Sequence, residues 1–197
     1  YSDAADKYVW ALDYRSRALL GLGRFDEVLA IRIAAAAEPE EGSPNVSQVI
    51  NLAGLYVELG RPQDALKTLD RLPSGSGTIT PYGRLAAESA RGQALAQLGD
   101  KAGVEASVKV AREHEADAPG TLIAILLAAN DLDAAAAVMI RRLENPDQRI
   151  EALQALQDFT SSGALPPVAA ERHRRYLLLE HRPDVQAAVA MVGRIRR

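Results

Sequence analysis

Apolar residues recur at helical spacing along most of the chain. Tyr8, Leu12, Leu19 and Leu22 fall on one face of a first helix, and Val49, Leu52, Ala53, Tyr56 and Leu59 on one face of a later one. The pattern breaks in four related stretches: LLGLGRFDEVLAIR (Leu19–Arg32), LYVELGRPQDALKTL (Leu55–Leu69), LAQLGDKAGVEASVKV (Leu95–Val110) and LLAANDLDAAAAVMI (Leu126–Ile140). At each break stands Gly23, Gly60, Gly99 or Asn130, residue types that accept the left-handed backbone conformation that ends a helix. The Pro62, Asp100 and Asp131 that follow suit the start of the next helix. Each stretch is therefore predicted to be a turn between two antiparallel helices.

The four landmarks lie 37, 39 and 31 residues apart, so loops of variable length separate the units. Two such loops are EPEEGSPN (Glu38–Asn45) and PSGSGTITP (Pro73–Pro81), built of turn formers and charges. After Leu143 the pattern predicts a fifth helical pair, roughly Asp147–Phe159 with Pro167–Glu180, and a last helix from Pro183. The fold class is all-α. Residues 1–143 form four helix pairs, and residues 144–197 a C-terminal helical cap of the same domain.

The second unit resembles a tetratricopeptide repeat. Val49, Leu52, Ala53 and Tyr56 stand where that family's first helix carries large, Leu, small and aromatic residues, and Ala65 and Leu69 match its second helix. Gly92, Leu95, Val104 and Val108 match in the third unit, while Glu88 and Arg91 depart. In the first, Leu12, Ser16, Leu19 and Val28 match, while Arg15 and Arg32 depart. The fourth keeps Leu122, Leu126, Ala135 and Met139 but has Pro119 where a large residue belongs. The resemblance covers about Tyr8 to Leu143, and the family's closing proline is displaced, at Pro39 and Pro73. It implies a right-handed superhelix of antiparallel helix pairs, an α–α solenoid whose first helices line a concave groove for a peptide or protein partner. The groove positions it implies are Asp13, Arg17, Asn51, Ser89 and Gln93. Of these, Arg17 and Asn51 alone suit the capture of a terminal carboxylate that some relatives perform.

Composition narrows the function by exclusion. A formal charge of −3 provides no general attraction to nucleic acid or anionic membrane, and zero cysteines exclude disulfides, thiolate metal sites and a cysteine nucleophile. The charge is uneven, however. Seven arginines face Glu171, Glu180 and Asp184 between residues 168 and 197, giving that stretch +4. ERHRRY and GRIRR read as a solvated capping face, helped by cations near helix C-termini; an acidic partner or nucleic acid is the alternative. The longest apolar run, TLIAILLAA (Thr121–Ala129), is far short of the roughly 20 residues that span a bilayer. A helix apolar on every face must be covered all round. Either the C-terminal helices fold back over residues 120–129 or a homodimer contact forms there.

Trp10, Tyr14 and Arg17, spaced by four and three residues, share one side of the first helix, opposite Tyr8, Leu12 and Leu19. With Asn51, Ser89 and Gln93 they form a candidate strip for partner contact, aromatic and Arg residues being the usual interface anchors. The alternative is packing against an upstream helix.

Catalytic signals are weak. HEADA at His114 has Ala118 where a zinc-protease helix needs its second His. GLGRFD lacks the third glycine of a dinucleotide loop, and SGSGT lacks a phosphate-loop Lys. His173 and His181 read as surface residues of the cap. The expectation is a non-catalytic protein–protein interaction scaffold with no cofactor and no metal. The alternative is a helical-repeat domain of a larger enzyme or signalling protein whose catalytic part lies upstream. The opening Tyr1 and the absent cysteines tip the compartment slightly toward periplasmic or secreted rather than cytoplasmic.

Overall fold

The computed structural model describes residues 4–40, 43–73, 79–157 and 163–193, with backbone alone at 4–10, 40, 43 and 44. The described residues are predominantly helical. Four hairpins come first: α1 (Ala4–Gly21) with α2 (Phe25–Ala37), α3 (Val46–Glu58) with α4 (Pro62–Leu69), α5 (Pro81–Leu98) with α6 (Lys101–Glu113), and α7 (Pro119–Ala128) with α8 (Leu132–Glu144). Then follow α9 (Arg149–Ala155), α10 (Pro167–Glu180) and α11 (Pro183–Val192). Pro39–Glu40 and Ser43–Pro44 make a two-residue antiparallel pairing in the first linker, and the middle of the second linker lies outside the described residues.

The four hairpin turns share one hydrogen-bond solution. Gly23, Gly60, Gly99 and Asn130 have φ of +74°, +71°, +73° and +60°. In each turn this residue donates its N–H to the carbonyl three residues back, and the next residue donates to the carbonyl five back, as in Arg61 to Tyr56 at 2.8 Å and Asp131 to Leu126 at 2.9 Å. Carbonyls that a helix end would leave orphaned are thereby satisfied. The residue after the turn starts the second helix in two ways. Asp100 and Asp131 accept from the N–H groups of Gly103 and Ala134, both at 3.0 Å, whereas Arg24 and Arg61 pair with Glu27 and Asp64 three residues on. Proline opens α4, α5, α7, α10 and α11, where its missing N–H costs nothing.

Each hairpin packs on the next, α2 on α3, α4 on α5 and α6 on α7, and among the first helices α3 packs on α5 and α5 on α7. Val49, Leu52, Ala53, Tyr56, Ala65 and Leu69 are buried together, with Ala36 of the preceding hairpin and Ala90 and Ala94 of the following one. Side chains also stitch neighbouring units at helix ends. Arg71 donates to the carbonyl of Ala36 at 2.6 Å and Gln97 to that of Val57 at 3.0 Å. Gly92 lets α5 approach α6 and α7 closely, since a Cβ there would lie 2.9 Å from both Ile125 Cγ1 and Ser107 Cβ.

Two expectations need correction. Leu22 does not join the core. It is 69% exposed, because α1 ends at Gly21 and the helical period no longer governs the next residue. The second helices of the cap do not form a fifth hairpin with α9: α9 and α11 pack on α8, while α10 packs on α3, α7 and α8. Helix α9 also stops at Ala155, and Phe159 lies outside the described residues. The fold-back reading of residues 120–129 holds, by contrast: the apolar helix α7 is covered within the chain by α5, α6, α8 and α10.

The turns yield a graded prediction. Gly99→Ala should cost about 1–2 kcal/mol, the strain of a left-handed residue with a Cβ, because no atom within 4 Å obstructs the new methyl group. Gly23→Ala should cost more, its Cβ meeting Ala164 Cβ at 3.1 Å. Urea denaturation of both variants checks the order, and equal or negligible losses would contradict it.

Candidate functional site

The first helices of the hairpins each present a stripe at three- and four-residue spacing to one shared hollow of about 670 Å³. Helix α3 contributes Asn51, Gly54 and Glu58, helix α5 contributes Tyr82, Ala86, Ser89 and Gln93, and helix α7 contributes Gly120 and Ala124. Small residues make the room: a Cβ on Gly54 or on Gly120 would meet nothing within 4 Å.

Of the residues expected on a binding strip, Asn51, Ser89 and Gln93 line this hollow together. Asn51 is exposed, and its side chain makes no hydrogen bond among the described residues. Gln93 is committed. Its amide donates to the carbonyl and hydroxyl of Ser89 at 3.2 and 3.1 Å, and its Oε1 accepts from Arg172 at 2.7 Å.

The expected contribution of α1 is corrected. Its residues on the hollow are Ser16 and Leu20, whereas Tyr14, 68% exposed, and Arg17 do not line it. Tyr14 stands about 160° round the helix from Ser16 at 100° per residue, so both cannot face the same space. Trp10 belongs to α1, but its side chain lies outside the described residues. Asp13 is not available to a partner either. It is 5% exposed and lies 2.9 Å from both Arg17 Nε and Arg32 Nη1. The Arg32 contact is an ion pair whose approach is not aligned as a hydrogen bond. Asp13 is thus the counter-ion of Arg32, the charge that departs from the repeat pattern. Burial lowers the pKa of Arg32, and Asp13 opposes that shift.

Arg172 was not expected here. The ERHRRY segment that reads as a solvated face lies along α10, and α10 crosses the open side of the hairpins. Arg172 Nη2 donates to Glu58 Oε1 at 3.1 Å while Nη1 holds Gln93, so one guanidinium bridges α3 and α5. Arg175 donates to the carbonyls of Leu127 and Ala128 at 2.8 and 2.9 Å, capping the end of α7. Upstream, the N–H of Ala164 reaches the carbonyl of Gly21 at 3.1 Å. This C-terminal strap fastens the first, second, third and fourth hairpins. Arg174, by contrast, stays in solvent beside Glu171. The period of α10 placed Arg172 and Arg175 on one side, three residues apart, but the sequence held no signal that this side faced other helices. Tyr82 was likewise missed, although it shares the stripe of Ser89 and Gln93 at seven and eleven residues' distance; it stands 70% exposed at the mouth.

Among the described residues, no three His, Cys, Asp or Glu side chains converge in a way that could hold a metal ion, and no helix is long and apolar enough to cross a membrane. No family model matches the chain, and no curated protein or solved structure matches it.

The strap carries an acid-sensitive joint. Hydrogen bonds from Arg174 and Arg175 hold the Glu171 carboxyl at about 2, below its ordinary 4.5. A depressed carboxyl contributes stability that is complete above pH 4.5 and fades as pH falls toward about 2. Glu171→Gln should therefore melt lower than the parent at neutral pH and converge with it near pH 2, and a constant gap between the two melting curves across an acid titration would refute this.

Proposed function

We propose that the four hairpins form a right-handed, tetratricopeptide-like solenoid that binds an extended peptide or protein segment in its concave hollow, as a scaffold without chemistry of its own. The observation that carries this reading is the stripe itself. First helices from successive hairpins face one open space, floored by glycine and alanine and edged by amide and hydroxyl groups. Repetition of one hairpin geometry is how solenoids generate such a surface. An extended segment needs partners for its backbone N–H and C=O groups, and Asn51 and Ser89 supply both polarities. Tyr82 at the mouth adds a rigid aromatic surface that loses little entropy on contact. Arg172 closes the far end and limits the bound segment to the part of the hollow between α1 and α7.

Gly54 provides the test. A leucine at this position fills the hollow, and replacing a mid-helix glycine should raise helix stability by about 0.5–1 kcal/mol. Peptides selected from a random display library on the parent protein should bind Gly54→Leu at least tenfold more weakly, with an unchanged or higher melting temperature. Asn51→Ala should weaken the same peptides without unfolding the chain. Peptides that bind all three proteins alike, or a library that yields none, would refute the reading.

A further inference from the structure

Arg172 divides the concave side into two chambers of different chemistry. Beyond it, between α7, α8 and α10, lies a second hollow of about 420 Å³ walled by Leu20, Ile123, Leu127, Met139, Leu165 and Ala169. Into this apolar space comes Arg142 of α8, only 4% exposed. Its Nε is shut from solvent without an acceptor, and among the described residues the side chain makes no hydrogen bond or ion pair. The acids that act on it do so from a distance, Glu151 most strongly and then Glu115, and Glu115 is itself held by Arg141 at 2.6 Å. Tyr176 offers no compensating charge. Burial raises its pKa to about 12, and its hydroxyl donates to the carbonyl of Ala155 at 2.9 Å. Of the two guanidinium groups on this chamber, Arg172 is satisfied by Glu58 and Gln93 and Arg142 is not.

A buried cation without a partner is among the most costly arrangements a fold can hold, and Arg cannot shed its proton to escape it. A ligand that brings one negative charge removes that cost, and a carboxylate matches the planar donor fork of Arg. We infer that the chamber between α7, α8 and α10 binds a small monocarboxylate with an alkyl or aryl body, its carboxylate on Arg142 and its body along Ile123, Leu127 and Met139. The volume falls within the range of about 300–1,000 Å³ usual for small-molecule sites. The body is alkyl or aryl rather than peptide because these walls offer no side-chain amides to pair with backbone groups, unlike the Asn51 chamber.

Octanoate, 1-octanol and the acetylated dipeptide acid acetyl-Ala-Leu are suitable probes, titrated calorimetrically into the intact chain. Octanoate should bind one to one and at least tenfold more tightly than either other probe, and should shift the Arg142 Nε–H resonance. Arg142→Met, which removes the unpaired charge and so keeps or raises the melting temperature, should bind octanoate no better than octanol. Ala155→Phe, at an exposed position on the chamber wall, should weaken both octanoate and octanol. Gly54→Leu should leave octanoate binding unchanged, which separates this site from the peptide groove. Equal affinity for octanoate and octanol, no saturable octanoate binding, tighter binding of the dipeptide acid, or full octanoate affinity in Arg142→Met would each overturn the inference. If Arg142→Met does not fold, the probe ranking, the Arg142 resonance in the parent chain and Ala155→Phe decide it.

Discussion

The left-handed residue at the end of each first helix is the constraint on which the remaining structure depends. With φ near +70° at Gly23, Gly60 and Gly99, and +60° at Asn130, two hydrogen bonds close each helix end and the chain reverses within three residues. Because the reversal is nearly the same each time, the second helix lies against the first in each hairpin. The first helices of successive hairpins then present their stripes to a common side. Asn51 shares one hollow with Ser89 and Gln93 because Gly60 and Gly99 end their helices in the same way, although a whole unit of sequence separates Asn51 from the other two.

On that repeated frame the C-terminal strap is the irregular part. Stacked hairpins touch mainly their neighbours, so a repeat array has few contacts of long sequence separation. Residues 163–175 supply them. Ala164 on Gly21, Arg172 on Glu58 and Gln93, and Arg175 on Leu127 and Ala128 join elements up to 143 residues apart along the chain. The same crossing separates two hollows, one edged by Asn51, Ser89 and Gln93 and the other walled by Ile123, Leu127 and Met139. Structural fastening and one wall of both candidate sites therefore come from one C-terminal segment.

Interior charge is treated in two contrasting ways. Arg32 interrupts an otherwise apolar helix face, and the fold supplies buried Asp13 as its partner. Arg142 interrupts another, and the fold supplies none. Pairing turns the first into a strut between α1 and α2. The lack of a partner leaves the second as an unmet demand facing an apolar hollow.

The helices, their four turns and the buried faces of the second and fourth units were legible in the residues themselves, because helical period, left-handed glycine and Asp caps are local effects that act within a few residues. So were Asn51, Ser89 and Gln93 as members of one face. The route of α10 was not legible. A basic amphipathic helix has the same local pattern whether its arginines meet water or the carbonyls of another helix, and only its packing on α3, α7 and α8 decides which. For the same reason Asp13 read as a groove position until Arg32 stood beside it, and Tyr14 read as part of a strip until the roll of α1 turned Ser16 and Leu20 to the hollow instead. Sequence determined what each segment is, since that depends on neighbours along the chain. Tertiary structure alone decided which charges are paired and which side chains share a chamber, since those depend on residues that meet only after the chain has folded.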